Sequence, residues 1–550
     1  MITLLAALPS LSAQAAPVTP DAGSILQQIK PAAPPAPSPA QTGLSIEHKG
    51  GEKLPPGAPF LIKTISIKGN TRYDTATLHA LVADAEGKNL TLAQLEALAG
   101  RITAYYHAHG YPLARAIIPA QTIHDGIVEI EVIEARYGKI RLDNKSRVND
   151  SLLEATLTQL KSGENIAQKQ LDHSLLLLSD IPGVALNATL KPGDKVGTSD
   201  LLVSAASGPA VSGRVMLDNY GNRYTGRTRI GGTVNFSEPL HHGDDLSLSG
   251  LSSGRGLNYG RISYDSLLNG LGTRLGGAYS ALHYILGNSL SALNGHGTAQ
   301  VISVWAKQPI IRSRNLNLYG QIQYDNKQLK DRIDVSSIRT DRHLDNWTGS
   351  LSGDVRDALL SGAVSTWSIG LTAGRVGYDD TAAQLADAAT AKTRGSFSKL
   401  NATFSRLQGL SPENAVYLSL SGQWANRNLD SAEKMIAGGP YSVRSYDMGA
   451  LSGDSGYLGT IEFRHDLGTL WKGQWYASTF ADSEHLIVNK NVWVAGANSA
   501  TLSGAGVGLN WAGPKEWSAR GYLATRLGST PTLIASTSST RAWIEISKGF

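Results

Sequence analysis

Cysteine is absent from the 550-residue chain. That excludes a disulfide framework and any thiolate metal site. Long apolar runs are absent too: no stretch reaches the roughly 18 apolar residues that a membrane-spanning helix needs. Charge is sparse, since Asp, Glu, Lys and Arg make up 17% of the residues and the net charge is only +5. No basic run clusters in the way that tracks a phosphate backbone, so no nucleic-acid partner is expected. Enzyme signatures are missing as well. No Gly-x-Ser-x-Gly elbow stands beside a triad. Gly504-Ala-Gly-Val-Gly508 lies on a strand-like segment with no helix after it, unlike a nucleotide loop. His107-Ala-His109 has no carboxylate at ligand spacing and reads as a helix end, and His241-His242 reads as a turn. No catalytic residue, metal or cofactor is expected.

Glycine, by contrast, is abundant at 59 residues, and 41% of the chain is hydrophobic although mean hydropathy is only −0.15. A helical membrane protein would be far more apolar on average. A β-barrel hides its apolar content, because lipid-facing and lumen-facing residues alternate along each strand. From residue 211 the chain reads this way, with no helix pattern. Alternating segments cover residues 214–219, 228–236, 245–252, 258–265, 273–284, 298–309, 315–326, 346–357, 366–376, 397–407, 414–425, 456–467, 474–485, 501–512, 517–527 and 541–550. They number about 16, an even count as expected of a single-chain bacterial barrel. Short connections such as 513–515 alternate with long ones such as 327–344 and 428–455, the pattern of short periplasmic turns and long outer loops. The last segment ends on Phe550. Steps of two back from it give Lys548, Ile546, Ile544 and Ala542, against Gly549, Ser547, Glu545, Trp543 and Arg541 on the other face.

The start of the chain reads as an export signal over residues 1–16: residues 2–11 are apolar, and Ala13-Gln14-Ala15 is a small-x-small cleavage site. Residues 17–59 follow as a short helix over 21–30, capped by Asp21, and a proline-rich spacer over 31–40. Residues 60–136 form one α+β unit. Its strands are expected at 61–68, 114–119 and 126–134, and its helices at 74–83 and 91–109, the latter capped by Thr91 and stopped by Gly110. Residues 137–208 repeat the order, with strands at 138–142, 184–190 and 199–206 and helices at 150–160 and 167–179. The barrel then spans 209–550.

Tandem units of this order resemble polypeptide-transport-associated (POTRA) domains, and Tyr105-Tyr-His-Ala-His-Gly-Tyr-Pro-Leu-Ala-Arg-Ala116 resembles the helix end and second strand of one. Gly438-Gly-Pro-Tyr-Ser-Val-Arg-Ser-Tyr-Asp447 resembles the Val-Arg-Gly-Tyr tip of the inward-folded sixth loop in POTRA-bearing transporters. Val443, Arg444 and Tyr446 match, and Ser445 replaces the glycine. Phe480-Ala-Asp-Ser483 resembles the Phe-x-Asp-x-Gly wall motif, with Glu484 in place of its glycine. Leu217-Asp-Asn-Tyr-Gly-Asn-Arg-Tyr-Thr-Gly226 and Asn235-Phe-Ser-Glu-Pro-Leu-His-His-Gly-Asp244 resemble the first strand and hairpin of the two-partner secretion transporters, the TpsB type of the ShlB/FhaC/HecB group.

The resemblance covers residues 60–550 and implies a secretion pore in the bacterial outer membrane. The POTRA units, in the periplasm, would bind an unfolded β-helical exoprotein by strand addition. The barrel would pass it to the surface. Arg444 at the loop tip would pair with Asp482, which shares a face with Phe480. Phe550 resembles the terminal aromatic that marks outer-membrane barrels for assembly. The implied partners are therefore the exoprotein, outer-membrane lipid and the barrel-assembly machinery, with the transporter itself a monomer. An insertion factor for other outer-membrane proteins is the alternative reading. A passive porin is a third, which has no need of two periplasmic domains.

Overall fold

The computed structural model describes residues 19–29, 44–46, 58–535 and 538–550. The expected signal at 1–16 and the spacer at 31–40 lie outside the described residues.

The first α+β unit is built on a three-stranded sheet. Ile127–Ile133 is central, parallel to Thr64–Lys68 and antiparallel to Arg115–Ile117. Alternation in the central strand buries Val128, Ile130 and Val132 on one face. Helix Leu92–Ala108 covers that face with Leu95, Leu98, Ile102 and Tyr106 at helical spacing. Thr91 starts the helix with a reciprocal capping box to Gln94. Glu134 ends the unit as a buried hub. Its carboxylate accepts from Thr71 N and Arg72 N at 2.8 Å each, from Tyr106 Oη at 2.8 Å, and from Asn165 Nδ2 of the next unit at 3.1 Å.

The second unit runs Arg136–Lys145, Asp150–Leu157, Gln168–Ser179, Val184–Pro192 and Thr198–Ser207. Leu171, Leu175 and Leu178 of its longer helix pack on Leu190, Leu201 and Val203 of its sheet. The sheet has a fourth strand that the sequence pattern does not announce. Leu44–Ile46 joins its edge in parallel, with Leu44 opposite Ala188, Ser45 opposite Thr189 and Ile46 opposite Leu190.

Sixteen antiparallel strands close the barrel, the first (Val211–Asp218) pairing with the last (Thr540–Gly549). Each of the alternating segments read from the sequence matches one of them, overrunning it by no more than one residue at an end. Outward positions are apolar and exposed, as at Ile230, Ile302, Ile369 and Ile544, while inward neighbours such as Arg229, Ser303 and Glu545 are buried in the lumen. Phe550 exchanges backbone hydrogen bonds with Gly213, at 3.0 and 2.8 Å, and so closes the seam.

Two expectations are corrected. Residues 327–344 are not a loop: Leu316–Ile333 and Ile338–Asp357 continue past the membrane as a paired ribbon and turn at Asp334–Ser336. Its outward face is polar, as at the ion-paired Arg332 and Asp341, while its inward face buries Leu329 and Leu344 in the lumen. Nor is the barrel free of helix. Thr381–Ala389 forms one in an outer loop, capped by Asp380, whose side chain accepts from Ala382 N at 2.8 Å.

Candidate functional site

The connection over 426–454 folds back into the lumen. Its tip turns at Gly438 and Gly439, with φ of 87° and 112°, values that a side chain would strain. Arg444 is thereby carried to the barrel wall and is 5% exposed. Its Nε and Nη2 donate to Asp482 Oδ2 and Oδ1 at 2.9 and 2.8 Å, a bidentate pairing. Nη1 donates to Glu462 Oε2 at 2.8 Å, and the Arg444 backbone N–H donates to Asp482 Oδ2 at 3.1 Å. The guanidinium lies 3.2 Å from the centroid of the Phe480 ring. Trp543 Nε1 of the last strand donates to the Arg444 carbonyl at 2.7 Å.

Glu462 and Trp543 are the partners that sequence reading missed. Glu462 stands directly opposite Phe480 in register, so a hairpin alignment of those strands would have found it. Trp543 sits on the polar, inward face of the last strand, where a buried tryptophan is a signal in itself. Asp447, just past the tip, pairs with Arg541 and Arg227 at 2.8 Å each.

The remaining predicted residues are also placed. Val443 and Tyr446 are buried with Ala437, Leu451, Leu486 and Leu502, and the Arg526 guanidinium lies 4.5 Å from the Tyr446 ring centroid. Phe550 is remote from this group, 54% exposed at the lipid-facing end of the last strand. Ser445 and Glu484 fill the positions where glycines stand in the resembling motifs. Ser445 is fully buried against Gly504, where an added Cβ would lie 2.1 Å from Ser445 Oγ, so the missing glycine has a counterpart on the wall. Glu484 is fully buried and accepts from Ser442 Oγ, giving the tip a second wall contact.

A second element occupies the lumen. The N-terminal helix, Ala22–Ile29, begins at Asp21, whose Oδ1 accepts from Ser24 N at 2.9 Å. Ile25 packs among Leu282, Leu329, Leu344 and Leu429. At Gly23 the helix passes so close to the loop that a Cβ would lie 2.6 Å from Ala432 N. One arginine holds helix, wall and loop together. Arg342 makes ion pairs with Asp21 at 2.7 Å, Asp331 at 2.6 Å and Asp430 at 2.6 Å. Burial pushes the Asp21 carboxyl up, but Arg342, Ser431 and Ser24 bring it to a net value below the ordinary one. Deeper along the loop, Glu433 pairs with Lys327 and with Lys399 Nζ at 2.8 Å, and accepts from Asn346 Nδ2 at 2.7 Å. The lumen is thus filled by a helix and a loop whose polar ends are held by ion pairs.

Residues 60–135 match the family described as POTRA domain, ShlB-type. Residues 197–509 match haemolysin secretion/activation protein ShlB/FhaC/HecB. The heme/hemopexin transporter protein HuxB of Haemophilus influenzae is 28% identical over 482 residues, covering 86% of this chain and 83% of that protein. The outer membrane transporter CdiB of Escherichia coli is 24% identical over 495 residues, covering 82% of this chain and 77% of that protein. The structure of CdiB from Escherichia coli has the same fold, with a TM-score of 0.69 at 20% identity over 95% of both chains. BamA from Haemophilus ducreyi shares the fold more distantly, with a TM-score of 0.55 at 13% identity over 89% of this chain and all of that one. The chain belongs to the ShlB/FhaC/HecB family. It is an outer-membrane transporter of the two-partner secretion type and acts with a secreted exoprotein.

Proposed function

We propose that residues 60–136 and 137–208 are two POTRA domains that take the unfolded exoprotein as an added strand, and that the barrel over 209–550 then passes it outward once helix and loop tip have moved. The exoprotein is a β-helical chain, the transporter works as a monomer, and no catalysis is involved. The observation that carries the reading is the seat of Leu44–Ile46 on Val184–Pro192. That edge accepts an extended segment of the chain's own leader through main-chain pairing, the mode by which a sheet edge binds any extended peptide. An incoming strand would displace it. The same segment leads back to the helix in the lumen, so displacement would pull on the plug. Arg444, with Asp482 and Glu462, holds the loop tip inward in the resting state, and Val443, Tyr446 and Phe480 pack around it. Phe550, on the lipid face, serves assembly in the membrane.

The absence of cysteine makes a clean test available. Ser45 Oγ and Thr189 Oγ1 lie 3.1 Å apart across the parallel pair. A Ser45→Cys/Thr189→Cys variant should form a disulfide under oxidation, tying the leader to the edge. Secretion of the exoprotein should stop when the variant is oxidised and resume on reduction. Unchanged secretion by the fully oxidised variant would remove this edge from the mechanism.

A further inference from the structure

Where the second α+β unit meets the barrel, a cavity of about 290 Å³ opens at the periplasmic mouth of the lumen. Its cationic lining comes from Arg274, Lys307, Arg312, Arg314 and Arg356, and Asp180 is its only acidic lining residue among the described residues. Asp180, at the end of helix Gln168–Ser179, is already engaged: Arg312 Nε and Nη2 donate to its two oxygens at 2.7 Å each. Arg274 is paired with Asp265, and Arg314 donates to Asp172 at 2.7 Å. Two cations remain. The side chains of Lys307 and Arg356 have no ion-pair or hydrogen-bond partner among the described residues. Lys307 Nζ lies 4.7 Å from the centroid of the Tyr319 ring, which orients it without neutralising it.

We propose that this cavity is a binding site for side-chain carboxylates of the polypeptide in transit, with Lys307 and Arg356 as the groups that receive them. The proposal rests on the reading that the chain moves from the periplasmic units into the lumen, and it adds the chemistry recognised at the threshold. Lys307 and Arg356 alternate with the outward-facing Val304, Ala306 and Val355 side of their strands, so both point inward. A lipid headgroup outside the wall cannot reach them. An Asp or Glu side chain of a polypeptide entering the lumen beside helix Gln168–Ser179, which is itself held on the wall through Asp172 and Asp180, can. Leu177, Ile181 and Leu267 give the cavity an apolar floor, which lowers the local dielectric and strengthens a carboxylate contact. An acid–base pairing made and broken at each Asp or Glu would hold a long chain at the mouth transiently without binding it permanently.

The test uses the purified full chain in detergent and a fluorescein-labelled oligoglutamate, read by anisotropy. Lys307→Gln/Arg356→Gln should bind it at least about tenfold more weakly than the unaltered protein. A control, Lys472→Gln/Lys515→Gln, removes the same charge from exposed turns of the same rim and should bind as the unaltered protein does. Heat-modifiable migration of each variant establishes that the barrel is folded. Equal loss in both double variants, or loss in neither, overturns the site. Displacement of the peptide by inorganic phosphate at matched charge makes it a general anion site and overturns the assignment to polypeptide carboxylates. Because binding is read without secretion, its failure is distinguishable from failure of the secretion reading.

Discussion

At the scale of single residues, Arg444 illustrates why a guanidinium stands at the loop tip. Three of its side-chain nitrogens are committed, two to Asp482 and one to Glu462, in one planar fork. A lysine ammonium cannot reproduce that geometry. Arg444→Ala, Arg444→Lys and Asp482→Ala should each impair secretion while the protein still reaches the outer membrane. Removing one partner of a buried pair costs roughly 3–5 kcal/mol, and the wet lumen should reduce this. Losses in the double alanine variant should be non-additive, since both changes remove one contact. Simple additivity in a secretion assay would show that the two residues act separately. Ser445 makes a sharper case. Gly504→Ala would drive a Cβ into its hydroxyl, an overpacking that costs about 1–3 kcal/mol. Secretion should fall in Gly504→Ala and recover in Ser445→Gly/Gly504→Ala. Failure of that rescue would mean that Gly504 serves something other than the tip.

At the scale of elements, the strands were legible because a period of two is written wherever one face meets lipid. Ile544 and Ile546 face out, while Trp543 and Glu545 face in, and that alternation survives in the sequence alone. The ribbon over 327–344 was not legible because its outward face is polar, as at Lys330 and Arg332, while its inward face mixes the buried Leu329 and Leu344 with the ion-paired Lys327 and Arg342. Pairings within the lumen were only half legible. Arg444 and Asp482 could be matched through known motifs, but Arg342 meets Asp21 and Asp430 through contacts separated by 321 residues in one case, which no local spacing encodes. The same geometry fixes a prediction for the helix. Arg342→Ala leaves Asp21, Asp331 and Asp430 facing one another without a cation, so the helix should leave its seat. Conductance in planar bilayers should rise several-fold, as it should when residues 17–40 are removed. Conductance equal to that of the unaltered protein in both variants would exclude a plugging role.

At the scale of the whole molecule, the periplasmic units are docked on the barrel. Leu267 of the barrel joins the core of the second unit, Arg312 grips Asp180, and Asn149 N donates to His241 O at 3.1 Å. Glu238 lies in that joint, 2% exposed, in the turn after Arg229–Ser237. Burial, together with the nearby Asp244 carboxylate, pushes its carboxyl up to about 7, although Gly243 N, Arg274 and Arg147 act the other way. A carboxyl whose pKa is raised in the docked state stabilises docking below its free value of roughly 4.3 and loses that contribution as pH rises to about 7. Glu134, at the joint between the two periplasmic units, behaves oppositely. Burial raises it, but hydrogen bonds from Thr71, Arg72 and Tyr106 bring it below the ordinary value, so its contribution is lost only on acidification. Between pH 5.5 and 8 Glu134 stays ionised, so of these two carboxyls it is Glu238 that changes. The joint should therefore be tighter at pH 5.5 than at pH 8. Limited proteolysis, or a spin-label distance between the second unit and the barrel, should report this directly. Glu238→Gln should hold the pH 5.5 behaviour across the whole range. A joint that loosens with pH equally in Glu238→Gln would assign the effect to another group.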